Sequence, residues 1–202
     1  MNLYLGVTDT NWFNYLRSIN PEDVNFWQPG GSSTFKALEP GAPFLFKLKS
    51  PVNAIGGVGF FVSHSLLPLG TAWDYFGNRN GCESYTTLQQ MIRQYRKDER
   101  ESNPVIGCIV LTDPVFFDTE DFIPVPDSFH PNIMKGKTYS TEDPDGRDIW
   151  RAVELRLAKY TGRYQRNNKE GDSLIIDYPE AQKYGSEFLT RARLGQGAFR
   201  VL

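Results

Sequence analysis

The feature that most limits what this chain can become is the run Ala54-Ile55-Gly56-Gly57-Val58-Gly59-Phe60-Phe61-Val62. Its apolar residues suit a β-strand, and glycine inside a strand marks a place where another backbone or a ligand comes close. Residues 44–49, Phe-Leu-Phe-Lys-Leu-Lys, follow the turn residues Pro40 and Gly41 and read as a second strand. Ser50-Pro51-Val52-Asn53 forms a turn between them, which makes the two a hairpin-like pair.

Around this pair, strand-like and helix-like segments alternate without the regular β-α order of a parallel sheet, and neither a GxGxxG nor a P-loop is present. Residues 2–8 read as a strand, with Asp9 as N-cap of a helix over 11–18. Residues 25–31, Asn-Phe-Trp-Gln-Pro-Gly-Gly, read as a polar, glycine-rich loop carrying two large rings. Helices are expected over 69–76, over 84–96 with Leu88, Met91, Ile92 and Tyr95 on one stripe, and over 145–160. A strand over 106–111 ends at Asp113-Pro114, and 115–117 and 122–126 are short extended pieces. The fold class that follows is α+β, built on a small, bent, barrel-like sheet flanked by short helices.

The chain has 202 residues, a net charge of -2 and a sequence pI near 5.7. That excludes a protein coated in basic residues and leaves room for a local basic face. Fourteen Phe, ten Tyr and four Trp supply far more rings than one binding site needs, so most are core. Cys82 and Cys108 lack CxxC spacing and read as free, partly buried thiols of a cytoplasmic protein. The N-terminus has no signal-peptide pattern, and no apolar stretch approaches membrane-spanning length. His64 and His130 lie in settings without a nucleophile elbow or a neighbouring acid, which gives Ser-His-Asp chemistry no support.

The last residues, 191–202, contain Arg193-Leu194-Gly195-Gln196-Gly197-Ala198-Phe199-Arg200. This run resembles the segment that leads into the HNH domain of bacterial HNH-type restriction endonucleases. The resemblance implies that residues 161–202 form a linker and junction towards a C-terminal HNH nuclease domain that this chain does not contain. Two isolated histidines cannot supply the general base and metal ligands of such a site. No catalytic residue, metal site or cofactor is therefore expected within these residues, and a divalent metal only in that absent domain.

The order of segments across the first 130 residues or so resembles the PUA-like superfamily, which includes EVE, YTH, ASCH and SRA domains. The Asn25-Phe26-Trp27 segment precedes the Pro40-Gly41 turn, the 44–49 strand and the Gly57-Val58-Gly59-Phe60-Phe61 strand in that family's order. Ala42 stands where the family has Asp, and Pro29-Gly30 replace its Arg-Asn, so the identity of the base is not carried over. The resemblance implies that residues 1–160 form a recognition domain that encloses a flipped base, modified or unmodified, of double-stranded DNA.

On that reading Asn25, Phe26, Trp27, Gln28, Trp73, Asp74 and Phe76 form the base pocket, with rings for stacking and amides or carboxylates for the base edge. An ordinary core role stands beside the pocket role for each ring, and a helix-surface role for Asp74. Lys36, Lys47, Lys49, Lys135 and Lys137 are the candidates for phosphate contacts. Arg93, Arg96 and Lys97 run straight into Asp98, Glu99 and Glu101 and read as a solvated face. The functional expectation is the specificity module of a modification-dependent restriction endonuclease, with a homodimer possible. A nucleotide-sensing regulatory domain and a structural dimerisation module are the alternatives.

Overall fold

The computed structural model describes residues 1–96, 101–166 and 178–194. The fold is α+β. Strand β1 (Asn2–Thr8) leads into helix α1 (Thr10–Ile19), followed by β2 (Asp23–Gln28), β3 (Pro43–Leu48) and the long β4 (Ala54–Pro68). Helix α2 (Leu69–Phe76), a 3-10 turn (Gly77–Asn80) and α3 (Tyr85–Gln94) come next, then β5 (Val105–Phe116). After a second 3-10 turn (Thr119–Asp121) the chain forms β6 (Ile123–Pro124), β7 (Gly136–Ser140), α4 (Pro144–Arg166) and α5 (Tyr178–Leu194).

The strands form one seven-stranded sheet in the order β2-β5-β4-β3-β1-β7, with β6 beside the start of β4. The sheet is open, because β2 and β7 lie at opposite ends of this path. Among the described residues, only the β1–β3 pair is parallel. Strand β4 organises the rest: its first half pairs with β3 and β6, and most of its length pairs with β5. Two register shifts interrupt the β4–β5 ladder, one between Val58 and Phe60 and one between Phe61 and Ser63. The first places an extra residue on β5 and the second an extra residue on β4, and bulges of this kind bend and twist a sheet. Gly57 sits at the tightest point, where a Cβ would overlap the Val115 carbonyl oxygen.

Both faces of the sheet are covered. On one face Trp12, Phe13 and Leu16 of α1 pack with Tyr4, Phe44, Phe46, Leu48 and Phe116, and with α2 and α3 through Ala72, Phe76, Leu88 and Ile92. On the other, Ile149, Trp150, Val153 and Leu157 of α4 and Phe188 of α5 pack with Leu3, Leu5, Leu45, Val58 and Phe60. Phe188 stacks on Phe60 with ring centroids 5.6 Å apart. A sheet buried on both sides has no polar face, which is why all six residues of β3 are buried.

Several expectations are corrected by this geometry. Residues 25–28 are strand, not loop, because β2 pairs with β5 from Asp23↔Thr112 to Gln28↔Gly107. Strand β5 does not end at Asp113-Pro114; it continues to Phe116 through the bulge, with Asp113 in left-handed backbone (φ 47°). Helix α4 runs on past residue 160, which by itself does not decide the expected division at 160/161. The part of the junction run at 195–202, like Lys97, lies outside the described residues. Asp9 caps α1 as expected: its Oδ1 accepts from Asn11 N at 2.9 Å and Trp12 N at 3.3 Å. Among the described residues, no helix is long and apolar enough to cross a membrane.

Phe46 is the hub of the first core, touching Trp12 at 5.4 Å, Phe13 at 6.5 Å, Phe44 at 6.3 Å and Phe116 at 5.5 Å between centroids. Phe46→Ala is expected to cost about 3–5 kcal/mol of unfolding free energy, read from urea denaturation, because fully buried rings leave cavities that cannot collapse.

Candidate nucleobase pocket

A cavity of about 220 Å³ opens where the end of β1, the start of α1, β2 and the end of α3 meet. Trp12, Phe26, Trp27 and Tyr95 supply its rings, and Gln28, Ser32, Ser33, Asp9, Lys49 and Lys135 its polar groups. The two indoles form the deep side: Trp12 and Trp27 are 2% and 8% exposed. Tyr95, 46% exposed, stands at the outer side with its ring centroid 6.1 Å from that of Trp27.

Each indole is fixed by its N–H, so neither ring can turn without leaving a buried donor unsatisfied. Trp12 Nε1 donates to the Asn25 carbonyl at 3.2 Å, and Trp27 Nε1 donates to the Asn80 carbonyl at 3.0 Å. Asn80 is itself buried and held on every side. Its Oδ1 accepts from Asn25 Nδ2 at 2.9 Å, and its Nδ2 donates to the Gly77 carbonyl at 2.9 Å and the Ala72 carbonyl at 3.3 Å. The next residue, Gly81, has φ 86°, and any Cβ there would run into the Trp12 indole. Arg79, one residue before Asn80, chelates the Asp23 carboxylate at 2.6 and 2.7 Å and fixes the same turn against β2.

A polar trio crosses the pocket wall. Tyr95 OH donates to Asp9 Oδ2 at 3.1 Å, Lys49 Nζ donates to Tyr95 OH at 2.7 Å, and Lys49 Nζ lies 3.6 Å from Asp9 Oδ2. The Lys49 ammonium also sits 4.7 Å from the Tyr95 ring centroid, a cation–π contact. Asp9 therefore caps α1 with one oxygen and anchors the Lys49–Tyr95 pair with the other. For Lys135 the described residues show a backbone bond, its carbonyl accepting from Val7 N at 2.9 Å, and no ion pair.

Of the residues expected in the pocket, Phe26, Trp27 and Gln28 line it, as do Lys49 and Lys135 among the expected phosphate contacts. The others are elsewhere. Asn25 is fully buried and serves the Asn80 junction. Trp73 packs by Tyr85 at 6.3 Å, Phe76 is core, and Asp74 is exposed on α2 away from the cavity. Lys36 is exposed on the loop after β2 but does not reach the pocket. Lys137 donates to the Ser128 carbonyl at 2.8 Å over the Tyr139 ring.

Lys47 is a clear correction. The alternation along β3 turns it to the α4 side, where it is 7% exposed and 5.2 Å from the Phe129 ring, too buried to reach a phosphate. Burial pushes its ammonium pKa down. Trp12 and Tyr95 were missed by sequence reading, because each sits in an apolar helical stripe that looks like ordinary core.

Other titratable groups offer less. Cys82 and Cys108 are buried free thiols, each pushed up to about 11 by burial. The carboxylates of Asp118, Glu120 and Asp121 lie within 4.8 Å of one another. Lys159 Nζ bonds both oxygens of Asp121 at 2.6 Å, and Arg17 pairs with Asp118 at 3.6 Å, so cations from the chain already balance much of that charge.

No family model matches the chain, and no curated protein matches it at a significant level. Among solved structures, the crystal structure of ASCH from Zymomonas mobilis is similar at 16% identity and TM-score 0.43, over 68% of this chain and 89% of that one. A Tyr-to-Phe variant of the same protein gives 14% identity and TM-score 0.46, over 69% of this chain and 91% of that one. A Ser-to-Ala variant gives 12% and 0.46, over 69% and 89%.

Two substitutions separate the frame of the pocket from its surroundings. Asn80→Ala removes the partner of Asn25 Nδ2 and the donor to the Ala72 and Gly77 carbonyls, and is expected to cost about 1–3 kcal/mol in urea titration, the penalty for buried polar groups left unpaired. Lys47→Met keeps the apolar stem and removes a buried charge, so unfolding free energy in urea titration should hold or rise.

Proposed function

We propose that this chain is a nucleic-acid-binding domain that takes a single nucleobase into the pocket formed by Trp12, Phe26, Trp27 and Tyr95. The observation that carries this reading is the combination at one site: immobilised indoles, an outer tyrosine, and Lys49 and Lys135 at the mouth. Every base has a π face, and stacking on aromatic side chains supplies roughly 1–3 kcal/mol per base. The Gln28 amide, the Ser32 and Ser33 hydroxyls and Lys135 line the cavity, and on this reading the first three meet the base edge and Lys135 the adjoining phosphate.

In the larger setting, the domain serves as the specificity module of a modification-dependent restriction endonuclease and delivers an HNH nuclease to its site. The resemblance of residues 193–200 to the segment entering an HNH domain supports that part, and double-stranded DNA is the corresponding partner. The pocket residues act by holding the base in place; cleavage belongs to the nuclease domain.

The test is fluorescence anisotropy at low salt, using duplexes with unmodified, cytosine-modified and adenine-modified sites, together with quenching of Trp12 and Trp27 emission. Binding with quenching, and a preference among the duplexes, is the expected result. No binding to any oligonucleotide, with thermal stabilisation by free nucleotides, would instead make the chain a nucleotide sensor. Lys135→Ala is expected to weaken binding to all sequences evenly and to reduce the slope of log K against log salt by about one, the signature of one lost phosphate contact.

A further inference from the structure

Met134 stands out beside the pocket. It is 81% exposed, while the other large exposed hydrophobic residues among those described lie between 37% and 46%. It lines the aromatic cavity together with Lys135. The chain that presents it is anchored on both sides. Ile133 packs against the core between the sheet and α4, and its N–H donates to the His130 carbonyl at 3.0 Å. The Lys135 carbonyl accepts from Val7 N at the end of β1. An apolar side chain this exposed, on backbone this constrained, is held out at the mouth of the pocket.

We propose that Met134 is a wedge that enters a duplex while the pocket takes its base, so that the partner is a double-stranded nucleic acid and not a single strand. This rests on the reading of the pocket as a nucleobase site. Extruding a base opens a gap in the stack, and apolar side chains inserted between base steps fill such gaps and stabilise the distorted duplex. An unbranched thioether suits that role, because it adapts to an irregular apolar space. Lys135, the next residue, is placed to meet the phosphates that flank the gap.

The experiment compares one duplex of the panel with its target strand alone, for the parent protein, Met134→Ala, Met134→Leu and Trp27→Ala. Met134→Ala is expected to weaken duplex binding by about tenfold, which is about 1.4 kcal/mol, and to weaken single-strand binding far less. Met134→Leu should restore duplex affinity. A duplex with an abasic site opposite the target base, where pairing is already lost, should recover most of what Met134→Ala loses. Equal losses on duplex and single strand would make Met134 a pocket wall and overturn the wedge, as would no loss on either. A parent that prefers the single strand also overturns it. If Trp27→Ala, still folded by circular dichroism, binds both forms as the parent does, the pocket reading falls first and takes the wedge with it.

Discussion

The buried amide of Asn80 is the interaction on which the site depends. It lies between β2 and the turn after α2, accepting from donors on β2 and donating to carbonyls of α2 and that turn. Its side chain ties Asn25 to the carbonyls of Ala72 and Gly77, and its own carbonyl fixes the Trp27 indole. The carbonyl of Asn25, on the same strand, in turn fixes Trp12. Two rings from separate elements thus take their orientation from one hydrogen-bonded junction. Networks of this kind specify a single arrangement, since any partial rearrangement leaves a polar group buried and unpaired.

The second constraint is a sheet covered on both faces. It turns most strand residues inward whatever their spacing and converts Lys47 from a candidate contact into a buried cation. The long β4 serves both faces because successive side chains of a strand alternate, and the extra β4 residue between Phe61 and Ser63 keeps Val62 on the same side as Phe61. Val58 and Phe60 face α4, while Phe61 and Val62 belong to the opposite core.

Much of the local structure was legible because its signals are local. The Asp9 cap, the α2 limits and the first strand follow from capping chemistry, apolar spacing and turn residues near in sequence. The misread segment, residues 25–28, fails for a non-local reason. Asn25 looks like a loop residue until its partner 55 positions away is known, and the polar neighbour Asp23 is satisfied by Arg79 at a similar distance. The break expected at Asp113-Pro114 failed likewise, since a bulge accommodates a proline that a regular ladder would not. Of the pocket, the Phe26-Trp27-Gln28 segment was visible as rings beside glycines. Trp12 and Tyr95 were not, because a helical stripe does not distinguish a ring facing core from one facing a cavity.

Charge decides what kind of grip this site can exert. The chain is net acidic, and several of its candidate cations are already engaged. Lys49 is shared with Asp9 and Tyr95, Lys137 is held by a carbonyl and a ring, Lys47 is buried, and Arg96 donates to the Pro29 and Val105 carbonyls and to Glu101. Lys135 at the mouth and the more distant Lys36 are the described lysines among the candidates that carry no such tie. On the proposed base-binding reading, a pocket with so few untied lysines among the described residues gains little from counterion release there, and affinity at this site would come mainly from the enclosed base. That balance is the one the proposed reading calls for, since every phosphate contact added strengthens binding to all sequences alike and dilutes the contrast a base pocket provides.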